Sequence, residues 1–206
     1  MATVTVMTVA RLATRLAETE PRLGRTRLIG VDGRSGSGKT WLAGRLASPL
    51  GAPVIHMDDL YPGWDGLAKA ADVLTEWVIE PLSKQEPARW RRFDWDSMSY
   101  AEWHTTEPAD VVVLEGCGSI RSALAGVYAA RVWVEAPAAA RRQRLRARPD
   151  WAAYEPFARR WAELEEQLYR IEHTRRRCDV IVENPPPTTD GDSDTRLSVQ
   201  LRGGRF

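Results

Sequence analysis

Cysteine is nearly missing from this chain of 206 residues: there are two, Cys117 and Cys178, with no paired spacing. That excludes a disulfide framework and a cysteine-based zinc site. Long apolar runs are missing too, since none approaches the roughly 20 residues that cross a bilayer. The N-terminal stretch interleaves Arg11 and Arg15 with apolar residues and has no signal-type apolar core. Charge of one sign is also lacking. Lys+Arg 29 against Asp+Glu 28 leaves a net charge of +1, so no broad field recruits nucleic acid or an anionic membrane. No N-K-x-D segment is present to read guanine. The expectation is a cytoplasmic protein with neither nucleic acid nor membrane as partner; a homo-oligomer is compatible with it.

What the chain does hold is concentrated at 27–41, RLIGVDGRSGSGKTW. Leu28-Ile29-Gly30-Val31 suits a buried strand. Gly33, Arg34, Ser35, Gly36, Ser37, Gly38, Lys39 and Thr40 then match G-x-x-x-x-G-K-[ST] at every fixed position. Helix-spaced apolar residues follow. In such a unit glycines let the backbone curl around a polyphosphate without Cβ clashes. The positive end of the next helix faces the bound charge. Lys39 then reaches the β- and γ-phosphates, and the Thr40 hydroxyl is placed to ligate Mg²⁺. A chance glycine-rich turn would lack the flanking strand and helix. The chain is read as binding a nucleoside triphosphate.

Around this unit, 8–20 reads as an amphipathic helix with Val9, Leu12, Ala13 and Leu16 on one face. Val54-Ile55-His56-Met57 reads as a second strand and 67–82 has helical spacing. The aromatic and charged segment 88–103 fits neither period clearly. Segments 110–116, 131–135 and 179–183 read as buried strands, 138–148 as an arginine-rich helix. Phe157, Trp161, Leu164, Leu168 and Ile171 mark the stripe of a longer helix. Buried strands alternating with helices predict a parallel sheet covered on both faces, with ligands beyond the strands' carboxyl ends. The size prior gives one domain. We divide it into an N-terminal helix in 1–24, an insertion at 64–105 and a lid at 138–150, all within a domain of 1–184. Residues 185–206 are expected to be a mobile Pro-rich tail.

Asp58 stands after the second strand, on the edge that carries the glycine loop; a carboxylate there either takes a proton from an attacking hydroxyl or caps a turn. Asp59 is expected to point elsewhere. Glu115 ends an apolar strand and can serve magnesium beside Thr40, or be an ordinary loop acid. Arg141, Arg144 and Arg148 share one helix face by i, i+3, i+7 spacing and can close over an anion, while the alternative is a solvated helix. Trp90, Trp95 and Trp103 flank Asp94 and could wall an acceptor pocket or fill the core.

DGRSGSGKT, HMDDLYPGWDGL, RRFDW, VVVLEGCGS and the arginine-rich stretch, in this order, resemble the uridine kinase-like P-loop kinases. The resemblance covers roughly 27–184. It implies a three-layer α/β/α P-loop fold whose five-stranded parallel sheet has the order 2-3-1-4-5, with ATP and Mg²⁺ as cofactors. It makes Asp58 the general base and a metal-site neighbour, and Thr40 and Glu115 the metal residues. Tyr61, Arg92, Asp94 and Trp95 fall on the acceptor side, Arg141, Arg144 and Arg148 in the lid, and Asn184 near the adenine. The implied activity is γ-phosphoryl transfer to a hydroxyl, on a nucleoside or related sugar-bearing compound. A nucleoside monophosphate kinase and a non-catalytic nucleotide-binding module are the alternatives. His104 falls in no base-contacting motif, so the nucleoside preference rests on the resemblance alone.

Overall fold

The computed structural model describes residues 3–184 and 196–202. The buried strands read from the sequence form the middle of one sheet: β2 (Arg27–Asp32), β3 (Val54–His56), β6 (Val111–Glu115), β7 (Tyr128–Glu135) and β8 (Val180–Glu183). All neighbouring pairs among them are parallel. They lie side by side as β3-β6-β2-β7-β8, which is the expected order 2-3-1-4-5.

The sheet nevertheless has seven strands, not five. β1 (Thr3–Thr8) precedes the N-terminal helix, and β9 (Arg196–Leu201) lies between β1 and β8, antiparallel to both. Two expectations are corrected by this. The described part of 1–24 begins with a strand, Thr3–Thr8, ahead of the helix, and Arg196–Leu201 is a strand rather than part of a mobile tail. The rest of that expected tail, 185–195 and 203–206, lies outside the described residues. β9 alternates, with Leu197 and Val199 buried between more exposed neighbours, which is the period-2 signature of a strand with one face on a core.

Alternation along the strands sorts side chains onto two faces. Ile29, Val31, Val113, Val132 and Val199 face α1 (Val9–Ala17) and α2 (Lys39–Ala47). Leu28, Val112, Leu114, Ile55 and Met57 face the other layer. α1 begins where expected, because the Thr8 hydroxyl accepts from the Arg11 amide at 3.2 Å and satisfies a donor of the first turn.

The second layer carries the insertion. Its helical part is α3 (Ala70–Leu74), a π turn at Thr75–Ile79 and α4 (Glu80–Ser83), with Pro81 just past the widened turn. The undecided segment 88–103 is a hairpin of β4 (Ala88–Asp94) and β5 (Ser99–Thr106). After β7 come α5 (Ala138–Arg146), α6 (Trp151–Tyr154), α7 (Ala158–Glu172) and α8 (Thr174–Arg177). The buried face of α7 differs from the expected stripe. Trp161, Glu165 and Tyr169 are buried, whereas Ile171 is 69% exposed. Among the described residues no helix is long and apolar enough to cross a membrane.

If β9 belongs to the core, Val199→Ala should lower unfolding stability by about 1–2 kcal/mol, the scale for removing buried methyl groups. Urea denaturation checks this. A loss within about 0.5 kcal/mol, as for a surface position, would mean that β9 adds nothing to the core.

Candidate active site

The chain turns at the carboxyl ends of β2, β3 and β6, and these three turns build one site. Asp32 closes β2 and is wholly buried. Its Oδ1 accepts from the amides of Gly33 (2.7 Å) and Gly118 (3.0 Å) and from the Tyr169 hydroxyl (2.7 Å); its Oδ2 accepts from the Ile120 amide (3.0 Å). One carboxylate thus ties the start of the glycine loop to the turn after β6 and to α7. Burial lifts its pKa to about 6, against the pull of these donors.

The loop itself is held by its carbonyl oxygens. Cys117 Sγ reaches Gly33 O (3.4 Å) and shares its one proton between that oxygen and Glu165, while Arg141 Nη1 donates to Ser35 O (3.3 Å) and Arg144 Nη1 to both Gly36 O and Ser37 O (3.2 Å each). Asn184 Nδ2 donates to Ser37 O at 2.7 Å. Carbonyls committed outward leave the loop's remaining N–H groups for its concave side, the arrangement an anion needs. Two glycines make it sterically feasible. Gly36 (φ 76°) passes so close to α5 that a Cβ would sit 2.6 Å from Arg141 O, and a Cβ on Gly38 (φ 94°) would strike the Asn184 amide.

A cavity of about 470 Å³ opens over the loop. Ser35, Gly36, Gly38, Lys39, Thr40, Asp58, Glu115, Arg144 and Arg148 all line it, so nine predicted site residues from four separate segments meet in one hollow. The Thr40 hydroxyl donates toward Glu115 at 3.2 Å. Glu115 is opposite His56 in the parallel register of β6 and β3, and His56 Nδ1 lies 2.7 Å from its Oε1. That hydrogen bond raises the His56 pKa. Around Lys39, loss of water lowers the pKa, but the negative groups facing it, Glu115, Glu165 and Asp58 among them, raise it more. Asp58 is raised, first by loss of bulk water in the hollow and then by the charge of Glu115, while Lys39, Arg148 and His56 pull it back. By area it is exposed to the cavity.

Thr40 and Glu115 offer hard oxygen donors a hydrogen bond apart, which fits Mg²⁺ completed by phosphate oxygens and water. Among the described residues no group of three or more His, Cys, Asp or Glu could hold a metal by itself. Such a protein-only cage is not what Mg²⁺ requires.

Other predicted residues lie off the cavity wall. Arg34 turns outward to Glu166 (2.7 Å) and Arg141 to the loop backbone. Arg148, although on the cavity wall, lies past the end of α5, so it does not share a helix face with Arg141 and Arg144 as expected, and it bonds Asp150. Asn184 borders a neighbouring hollow of about 410 Å³ with Ala136, Pro137 and Ser198. Tyr61 is fully buried, and its hydroxyl donates to Cys117 O at 2.6 Å. Arg92 pairs with Glu102, and Asp94 accepts from the amides of Asp96 and Ser97, closing the hairpin turn. Trp95 donates from Nε1 to Asp58 O at 3.0 Å. Asp59, expected to point elsewhere, lines the cavity beside Asp58.

Sequence reasoning missed Glu165, although it is 2% exposed and central. It accepts from the Ser35 amide (3.0 Å) and hydroxyl (2.5 Å), Cys117 Sγ (2.9 Å) and Trp161 Nε1 (3.0 Å). Its signal was the i, i+4, i+8 set Trp161, Glu165, Tyr169, an acid on an aromatic helix face. His56 was missed as well.

No protein-family model matches the chain, and no curated protein matches it. Solved structures share the fold. One, described as a possible uridine kinase from Bacillus stearothermophilus, is 20% identical with a TM-score of 0.59, over 84% of this chain and 96% of that one. Another, described as a candidate fructose transport system kinase from Silicibacter sp. TM1040, is 22% identical with a TM-score of 0.53, over 79% and 95%. At these identities the likeness shows a shared fold: a mixed α/β chain with a largely parallel central sheet, as in those two structures.

Glu165→Ala strands the Ser35 and Trp161 donors and should lower stability by about 1–3 kcal/mol, whereas Glu165→Gln, which keeps an acceptor oxygen, should lose less. Chemical denaturation of both variants checks the order. Equal stability of Glu165→Ala and the parent would show that this acid does not hold the loop.

Proposed function

We propose that this protein is an ATP-dependent kinase that transfers the γ-phosphoryl group to a hydroxyl of a small sugar-bearing or otherwise hydroxylated molecule. The observation that carries the reading is the meeting of Lys39, Asp58 and the Thr40–Glu115 pair in one cavity above the glycine loop. A nucleotide-binding module needs the first of these but has no use for a carboxylate poised opposite it. The two solved structures of the same fold are both described as kinases, which supports the reading.

In this account the triphosphate lies in the loop, with its base toward the hollow beside Asn184. Asp58 accepts the proton of the acceptor hydroxyl as that oxygen bonds to the γ-phosphorus and the bond to the β-phosphate oxygen breaks, releasing ADP. Lys39, Arg144 and Arg148 balance the charge that gathers on the transferring group and on the leaving oxygen. Thr40 and Glu115 would hold Mg²⁺, which when bound neutralises phosphate charge. Loss of water and the charge of Glu115 raise the pKa of Asp58, which makes it a stronger base than a free aspartate.

Asp58→Asn keeps the shape of the cavity and removes the base. Its kcat should fall by about 10²–10⁴ with little change in the KM for ATP. ADP release from ATP and Mg²⁺ across a panel of hydroxylated acceptors measures it. Near-normal turnover would point to an acceptor that needs no base, such as a phosphate already ionised at neutral pH.

A further inference from the structure

The aromatic residues near Asp58 pack chiefly on one another. Trp64 stacks on Phe157 (centroids 4.4 Å, planes 9° apart) and packs on Trp95 at 4.5 Å. Tyr61 sets its edge on Trp161 at 5.0 Å, and Trp90 stacks on His104 at 4.6 Å. Trp103 is 55% exposed on the outer hairpin, beside Trp77 and the guanidinium groups of Arg89 and Arg91. The Asp65–Arg160 ion pair joins the loop of Trp64 to α7, fastening the cluster shut. Ring faces that pack on one another have little left for a base.

The cavity wall agrees. Among the described residues no Phe, Tyr, Trp, Asn or Gln lines it, so a base would find neither a stacking platform nor an amide there to read its edge. Its one ring, His56, is held at Nδ1 by Glu115. On the Asp58 side the wall offers the carboxylates of Asp58 and Asp59, which are acceptors for hydroxyl donors and repel a second anion. Lys39 and Arg148 stand close enough to Asp58 to lower its pKa, and in the kinase reading they and Arg144 are taken up by the donor's phosphates.

From this packing we infer that the acceptor is a small, neutral, polyhydroxylated molecule, a monosaccharide or polyol, and not a nucleoside. Asp59 acts as its hydroxyl reader beside Asp58. The inference rests on the kinase reading above and narrows it: the acceptor-side aromatics form a closed wall behind Asp58 instead of a base slot.

The test compares matched acceptors on the purified full chain with ATP and Mg²⁺, following ADP release. D-ribose, D-fructose, D-glucose and ribitol are set against uridine, cytidine and adenosine, with ribose 5-phosphate as the anionic control. The best polyol should exceed the best nucleoside in kcat/KM by about 100-fold or more, because a site built to bond hydroxyls leaves a base unpaired. Asp59→Asn should raise the polyol KM roughly 10-fold, the scale of one lost hydrogen bond to a charged group, and leave the KM for ATP unchanged. A nucleoside or ribose 5-phosphate with the highest kcat/KM overturns the inference but leaves the kinase reading standing. An unchanged polyol KM in Asp59→Asn removes Asp59 as the reader and the argument built on it. Transfer to none of these acceptors, with ATP bound, overturns both readings together.

Discussion

The glycine loop keeps its shape because almost every polar group on its outer side is bonded to another part of the fold. Asp32 receives the first amide of the loop, and the carbonyls of 33, 35, 36 and 37 receive donors from the turn after β6, from α5 and from Asn184. Backbone groups left unpaired away from water are costly, so these bonds decide which way each peptide faces. If the peptides faced otherwise, the concave side would present oxygen to the phosphates. The sheet order, the helix that follows β7 and the end of β8 are all arranged so that these donors arrive together.

The same economy explains the carboxylate of Glu165. An acid buried on α7 is unfavourable unless it is bonded, and its four donors include the amide and hydroxyl of Ser35. α7 is thereby coupled to the loop at three points, through Glu165, through Glu166 on Arg34 and through the Tyr169 hydroxyl on Asp32. α5 and α7 therefore both grip the loop and meet at Ser35. A displacement of either helix has to be absorbed at the phosphates.

Much of this was legible in the sequence. The five central strands carry uninterrupted apolar runs, and the order in which they pair follows from the resemblance that the glycine loop, Asp58 and Glu115 brought out. The edge strands were not legible for a physical reason. TVTVMT and RLSVQL alternate, and a short alternating segment is a strand only when a sheet edge is present to receive it. Glu165 sits among Glu163 and Glu166, so it looked like one more solvated acid; only its helical phase with Trp161 and Tyr169 distinguishes it. The tryptophans show the opposite limit. Their number singled out a cluster, but composition cannot tell a ring that faces a ligand from one that faces another ring.

The central claim is that the triphosphate held by this loop gives up its γ-phosphoryl group to a hydroxyl. The most direct measurement follows that group itself, using ATP labelled in the γ-phosphate with Mg²⁺ and the hydroxylated acceptors. The account predicts that the label leaves ATP as a phosphate ester of an acceptor, with one ADP formed for each ester. Label found only as inorganic phosphate, or retained in ATP that is tightly bound, would contradict it.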